Sequence, residues 1–147
     1  MKAINEMKVE FLSLSCNEGF ARMTAAAFAA QLDPTLEELG DIKTAVSEAV
    51  TNAIVHAYPE ELGKIQLRAR ILESRELELQ IRDWGRGIAD IEQARLPLFT
   101  TGGEERSGMG FTVMESFMDQ LKVRSRTGKG TVVTMKRRLS RRAERHL

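Results

Sequence analysis

The chain has 147 residues, 42% of them hydrophobic and 29% charged, with a formal net charge of +1. That length suits one domain with a sizeable core, the charge balance gives no overall pull toward nucleic acid or an anionic membrane, and the single cysteine, Cys16, excludes an internal disulfide and suits a reducing compartment. No apolar run approaches the ~20 residues of a membrane helix and the N-terminus lacks a signal-peptide core, so the expected location is the cytoplasm.

Residues 7–14 alternate loosely and predict a strand. From Asn17 to Leu32 an alanine-rich run carries Phe20, Met23, Ala27 and Phe28 on one side, which predicts a helix. Asp33-Pro34 breaks it, because proline disfavours helical geometry in the residue before it. Thr35-Leu36-Glu37-Glu38 is a capping-box sequence, and a long helix is expected from there to about Ala57, with Leu39, Ile42, Val46, Ala49 and Ala53 on one stripe. Ile65–Leu72 and Leu77–Asp83 alternate apolar with polar residues and predict an antiparallel hairpin with one wet face. Residues 84–107 read as a loop with a short helix near Ile91–Arg95, a length that suits a functional lid. A helix over Gly110–Met118, a strand over Leu121–Arg126, a turn at Thr127–Gly130 and a strand over Thr131–Arg137 complete the pattern. The order β-α-α-β-β-loop-α-β-β predicts an α+β two-layer sandwich, a mixed, mostly antiparallel sheet with helices on one face. Residues 1–137 are expected to form the domain and residues 138–147 a basic, solvated tail.

Three segments could carry chemistry. Glu48 and Asn52 lie four apart on the long helix and stack on one face, beside the apolar stripe and flanked by the small residues Ala49 and Ala53. An amide oxygen suits Mg²⁺, and a carboxylate one turn away can take a proton from an attacking hydroxyl. Such a row is also what a solvated helix face looks like, and His56, one turn further, reads as structural. Asp83 ends a strand and is followed by Trp-Gly-Arg-Gly, where a carboxylate can accept from an exocyclic amine and glycines let the chain approach a planar base; a tight turn held by an aspartate is the alternative. Arg82 and Arg86 fit solvent-facing positions equally well. Ser107-Gly108-Met109-Gly110 opens a helix whose free amides could bind phosphate, although glycine before a helix is common. Gly108-Met109-Gly110 lacks the third glycine and preceding strand of the dinucleotide fingerprint, and Gly128-Lys129-Gly130 joins two strands rather than forming a Walker A loop. Neither metal-ligand spacing nor a Ser/His/Asp hydrolase pattern stands out.

Taken together, the segments resemble the ATP-binding domain of the gyrase/Hsp90/histidine-kinase/MutL superfamily, the Bergerat fold, over residues 7–137. Glu48-xxx-Asn52 resembles its N box, Asp83-x-Gly85-x-Gly87 its first glycine box and Gly108-x-Gly110 its second, while Thr131 sits where the family places a threonine near adenine. The resemblance implies ATP and Mg²⁺ as cofactors, with Asn52 on the metal and Asp83 on adenine. There is no room for a large transducer domain, nor for a dimerisation helix bearing a phosphorylatable histidine. The chain therefore looks like the small bacterial switch kinases that act as anti-sigma factors.

The segments Asn17-Glu18-x-Phe20-Ala21-Arg22, Ala30-Gln31-Leu32-Asp33-Pro34-Thr35, Ser47–Ile54, Pro97-Leu98-Phe99-Thr100-Thr101 and Glu105–Phe111 resemble the sporulation anti-sigma-F family. That resemblance implies a homodimer and a serine protein kinase that holds a sigma-F-like factor and phosphorylates a serine of an anti-anti-sigma factor. It implies Glu48 as catalytic base and Arg106 on the terminal phosphate. Thr100, Thr101, Ser107, Gly108, Met109 and Gly110 would lie around ATP, and Arg22 at both protein partners; it implies no direct nucleic-acid or membrane contact. The alternatives are a stress-response anti-sigma kinase for another sigma factor, and a non-catalytic nucleotide-gated module. Trp84 departs from the small polar or acidic residue usual there, so it is expected to alter the lid's hinge or to pack on a partner.

Overall fold

The computed structural model describes residues 2–95 and 110–141. Five strands form one sheet among these residues: β1 (Ala3–Leu12), β2 (Lys64–Leu72), β3 (Glu76–Asp83), β4 (Gln120–Arg126) and β5 (Gly130–Arg138), in the spatial order β1-β2-β3-β5-β4. The mostly antiparallel sheet expected from the sequence is antiparallel at every pairing. The helices are α1 (Asn17–Ala29), α2 (Leu36–Asn52), the short α3 (Ile91–Ala94) and α4 (Gly110–Phe117). Helix α1 packs on α2, and α2 on α4.

The core lies between the helices and one face of the sheet. Ile42, Val46 and Val50 of α2 are fully buried against Ile65 and Leu67 of β2, Leu77 and Leu79 of β3, Met114 of α4 and Met135 of β5. Each such side chain stabilises the fold by roughly 1.5–3 kcal/mol through apolar burial. The opposite face of the sheet is polar, as the alternation in β2 and β3 requires, and carries cross-strand ion pairs such as Arg68–Glu6 and Lys136–Glu78.

Helix α2 positions everything that follows, and its start is set by sequence. Thr35 Oγ1 accepts from the Glu38 amide at 3.0 Å while Glu38 Oε1 accepts from the Thr35 amide at 2.9 Å, the reciprocal capping box. Upstream, Asp33 takes a left-handed conformation with φ of 51°, which ends the 3₁₀ turn Ala30–Leu32 that follows α1.

Three expectations shift. The first strand runs over Ala3–Leu12 rather than 7–14; Ser13 and Leu14 belong to the turn into α1, where the Leu14 amide donates to the Leu12 carbonyl and Asn17 Nδ2 donates to the same oxygen. The long helix does not stay α-helical to Ala57 but widens into a π-helical turn over Ala53–Ala57. The folded part does not end at 137: Arg138 closes β5, Leu139 is fully buried and donates its amide to the Arg75 carbonyl, and the Ser140 amide donates to Glu38 Oε2 at 2.9 Å. A leucine among arginines gives this segment an apolar anchor that the charge run conceals. Residues 142–147 lie outside the described part.

Candidate functional site

A cavity of about 450 Å³ opens between the C-terminal half of α2, the segment after β3, α4 and β5. Ala49, Asn52, Ala53 and His56 line it from the helix, Asp83, Arg86, Gly87 and Ile88 from the end of β3 and beyond, Gly110 and Phe111 from α4, and Thr131 and Val133 from β5. Of the residues singled out from sequence, Asn52, Asp83, Gly87, Gly110 and Thr131 thus meet at one place although they span 80 positions of the chain. Glu48 sits one turn before Asn52, half-buried and outside the cavity lining. Thr100, Thr101, Arg106, Ser107, Gly108 and Met109 lie outside the described residues.

The antiparallel register puts Asp83 directly opposite Thr131. Asp83 Oδ1 accepts from the Gly85 amide at 2.9 Å and the Thr131 amide at 3.2 Å, so one oxygen holds both the turn and the neighbouring strand. The side chain is buried, and that burial pushes its pKa above the ordinary aspartate value, against the opposing pull of the two amides. A buried carboxylate that lines a cavity is a candidate to hydrogen-bond a ligand there.

The glycines after Asp83 serve the protein's own backbone. A side chain at Gly85 would collide with the Ala57 carbonyl, whose oxygen accepts from the Arg86 amide at 3.0 Å; one at Gly87, which has φ of +77°, would collide with the Arg126 carbonyl. Gly85 is buried against the end of the π-helical turn and Gly87 is the one of the two that lines the cavity. That wide turn is what presents Ala57 to the loop, in keeping with the usual place of π-turns at functional sites. Across the cavity, an added Cβ at Gly110 would lie 2.7 Å from Asn52 Nδ2 and 3.0 Å from its Oδ1. A side chain at Gly110 would therefore require the Asn52 carboxamide to move, and glycine lets the start of α4 sit directly against it.

Sequence reasoning assigned His56 a structural role, whereas it lines the cavity, and Arg86 does so too. Tyr58 was not singled out at all. Its hydroxyl donates to the Lys64 carbonyl at 2.7 Å and accepts from the Trp84 amide at 2.8 Å, holding the segment after Asp83 against β2. The Trp84 ring, 38% exposed, lies between two cations, Lys64 Nζ at 4.5 Å and the Arg82 guanidinium at 4.8 Å from its centroid. Neither feature has a short-range signal, since both depend on which strands are neighbours.

Away from the cavity, Arg22 pairs with Glu18 at 3.3 Å on α1, and Glu18 also accepts from Ser47 Oγ on α2, the residue before Glu48. Phe20 and Met23 beside Arg22 are about half exposed, at 47% and 55%. Among the described residues no group of three or more His, Cys, Asp or Glu side chains converges, and no helix is long and apolar enough to cross a membrane.

A histidine kinase-like ATPase domain model matches residues 17–137. An anti-sigma F factor of Caldanaerobacter subterraneus is 57% identical over 142 residues, 96% of this chain and 99% of the relative. An anti-sigma F factor of Clostridium acetobutylicum is 55% identical over 137 residues, 92% of this chain and 95% of the relative. Among solved structures, one containing the RsbU and RsbW domains of a Mycobacterium tuberculosis protein superposes with a TM-score of 0.69 at 19% identity, covering 93% of this chain and 32% of that one. The histidine kinase domain of a blue-light activated kinase from Erythrobacter litoralis does so at 0.58 and 24%, covering 83% and 61%. At those identities the likeness is one of fold.

Proposed function

The chain belongs to the histidine kinase-like ATPase domain family, with anti-sigma F factors as full-length relatives, and from that premise we propose that it is an ATP-dependent serine protein kinase that sequesters a sigma factor. The observation that carries this reading is that Asp83 and Thr131, in contact with each other, line one cavity with Asn52 and Gly110, in contact with each other. The first pair offers acceptors to an adenine amine, and the second offers a neutral oxygen and helix amides to a polyphosphate.

Asn52 is the residue to hold Mg²⁺. A neutral carboxamide beside the start of α4, with no cluster of carboxylates among the described residues, would suit a cation that takes its other ligands from phosphate and water. When bound, that ion neutralises phosphate charge. Glu48, one turn away on the same helix face, accepts the proton of the attacking serine. Arg106 and the amides of residues 108–110 steady charge on the transferring group. Thr100, Thr101, Ser107 and Met109 enclose the nucleotide on the family reading, and Asp83, Gly87 and Thr131 hold the base end.

The substrate is a serine of an anti-anti-sigma factor. The face around Arg22, with exposed Phe20 and Met23, is the surface we assign to the sigma factor and to that substrate, and the working unit is a homodimer. The cytoplasm is the matching compartment.

Incubating the purified protein with labelled ATP and a candidate anti-anti-sigma protein tests this directly. Phosphoserine on the substrate is expected, and Glu48→Gln should slow transfer by about 10²–10⁴-fold with nucleotide binding retained. Tight ATP binding and sigma capture without any phosphoserine would replace the kinase by a nucleotide-gated sequestering module.

A further inference from the structure

Ser125 faces Thr131 across the β4–β5 pairing, on the cavity side of the sheet but behind the cavity wall. The Ile88 amide donates to Ser125 Oγ at 2.7 Å. The same oxygen lies 3.0 Å from the Gly130 carbonyl and 2.8 Å from Thr131 Oγ1. A serine hydroxyl has one proton and two lone pairs, and a carbonyl can only accept. One arrangement satisfies all three contacts: Ser125 gives its proton to Gly130, and accepts from both the Ile88 amide and the Thr131 hydroxyl. Ser125 is then saturated.

From this we infer that Ser125 is a positioning residue for base selection, drawing the Thr131 proton backwards so that Thr131 offers only lone pairs to the ligand. The inference rests on the ATP reading above and extends it to specificity. Thr131 lines the cavity, and its amide is already spent on Asp83 Oδ1 at 3.2 Å. The base end therefore presents a carboxylate and a hydroxyl oxygen, both acceptors. An exocyclic amino group brings two protons to such a pair. A 6-oxopurine brings a carbonyl oxygen, and acceptor meets acceptor. Discrimination between the two would then be set two residues away from any base contact, by the serine that withholds a proton. Through Ile88, itself a lining residue, the same hydroxyl also anchors the segment that follows Gly87.

The two roles separate experimentally. Loss of the Ile88 anchor weakens every purine nucleotide alike, whereas release of the Thr131 proton changes the ratio between them. Dissociation constants for ATP and inosine triphosphate are to be measured by calorimetry on the full chain, for the wild type, Ser125→Ala, Ser125→Thr and Thr131→Val. The preference for ATP should narrow by about tenfold in Ser125→Ala, the worth of one hydrogen bond. It should be retained in Ser125→Thr, which keeps the hydroxyl, and should narrow in Thr131→Val, which removes the acceptor. An unchanged ratio in Ser125→Ala, or in Thr131→Val should the alanine variant not fold, overturns the assignment while leaving ATP binding intact. A wild type that binds neither nucleotide overturns the ATP reading and this inference with it.

Discussion

Two carboxylates sit near opposite ends of α2, Glu38 in its first turn and Asp83 beside the π-helical turn that follows it. Both are little exposed, at 8% and 6%, but Asp83 is the more deeply embedded, and their pKa values move in opposite directions. For Glu38, burial works against ionisation, but hydrogen bonds from Ser140 and Thr35 together outweigh it and the pKa falls. For Asp83, burial outweighs the amides of Gly85 and Thr131 and the pKa rises. The difference lies in depth and in donors: Asp83 is embedded more deeply and has fewer hydrogen bonds to offset that burial. Glu38 has an amide donor on each, Thr35 on Oε1 and Ser140 on Oε2. At Asp83 both amide donors fall on Oδ1. Depth of burial and the number of donors together set the direction in which each acid shifts.

Substituting each acid by a neutral residue should pull the two ends apart. Asp83→Asn keeps an oxygen for both amides but removes the charge, so nucleotide affinity should fall by about 10–150-fold, the range of a hydrogen bond to a charged group. The apo protein should melt no lower than the wild type, and higher at neutral pH. A raised carboxyl pKa contributes stability that is complete below the unfolded value of 3.8 and is lost as pH rises through the folded value, and the variant escapes that loss. Calorimetry and a thermal scan on one sample check both halves; a large drop in melting temperature would make Asp83 a structural acid after all.

Glu38→Ala should do the reverse. It strips the capping box and leaves the Ser140 amide without its partner, costing about 1–3 kcal/mol, with ATP affinity unchanged. Because the Glu38 pKa is lowered, its contribution is present above the unfolded value of 4.5 and disappears as pH falls through the folded one. Melting curves on the acid side should therefore converge for wild type and Glu38→Gln. Curves that stay parallel to the lowest accessible pH would mean that this ion contributes nothing.

Trp84→Ala is expected to have the smallest effect, about 0.5–1 kcal/mol of stability from exposed cation–π contacts. Nucleotide affinity should hold, because the link from this segment to Tyr58 is made by the main-chain amide of residue 84. A tenfold loss of ATP affinity would show that the indole helps to set the base-reading segment.

The sequence carried the structural end of this comparison more plainly than the functional one. Thr35 and Glu38 close a local pattern four residues long, and the alternation in β2 and β3 fixes which side chains face the core, so both were legible without a partner segment. Asn52 and Asp83 could be named because each sits in a short motif, and Thr131 because the family resemblance places a threonine there, but that they share a cavity depends on strand order. The π-helical turn had no signal, since Ala-Ile-Val-His-Ala is compatible with an ordinary helix; its form answers to Gly85 and Arg86 docking on Ala57. Ser125 reads as one polar residue in an alternating strand, and its role exists only in register with Thr131 and in contact with Ile88. The anchoring of Leu139 was hidden in the same way, by neighbours whose charge suggested a free tail.

The order β1-β2-β3-β5-β4 seats β5, made after β3 and β4, in the interior of the sheet between those two. Until residues 130–138 emerge, β3 ends in an open edge, β4 has no neighbour to hold it, and Asp83 faces no Thr131. Such long-range closure is slow relative to local helix formation. A chain without residues 130–138 therefore lacks the strand that brings Thr131 to Asp83 and completes that wall of the cavity.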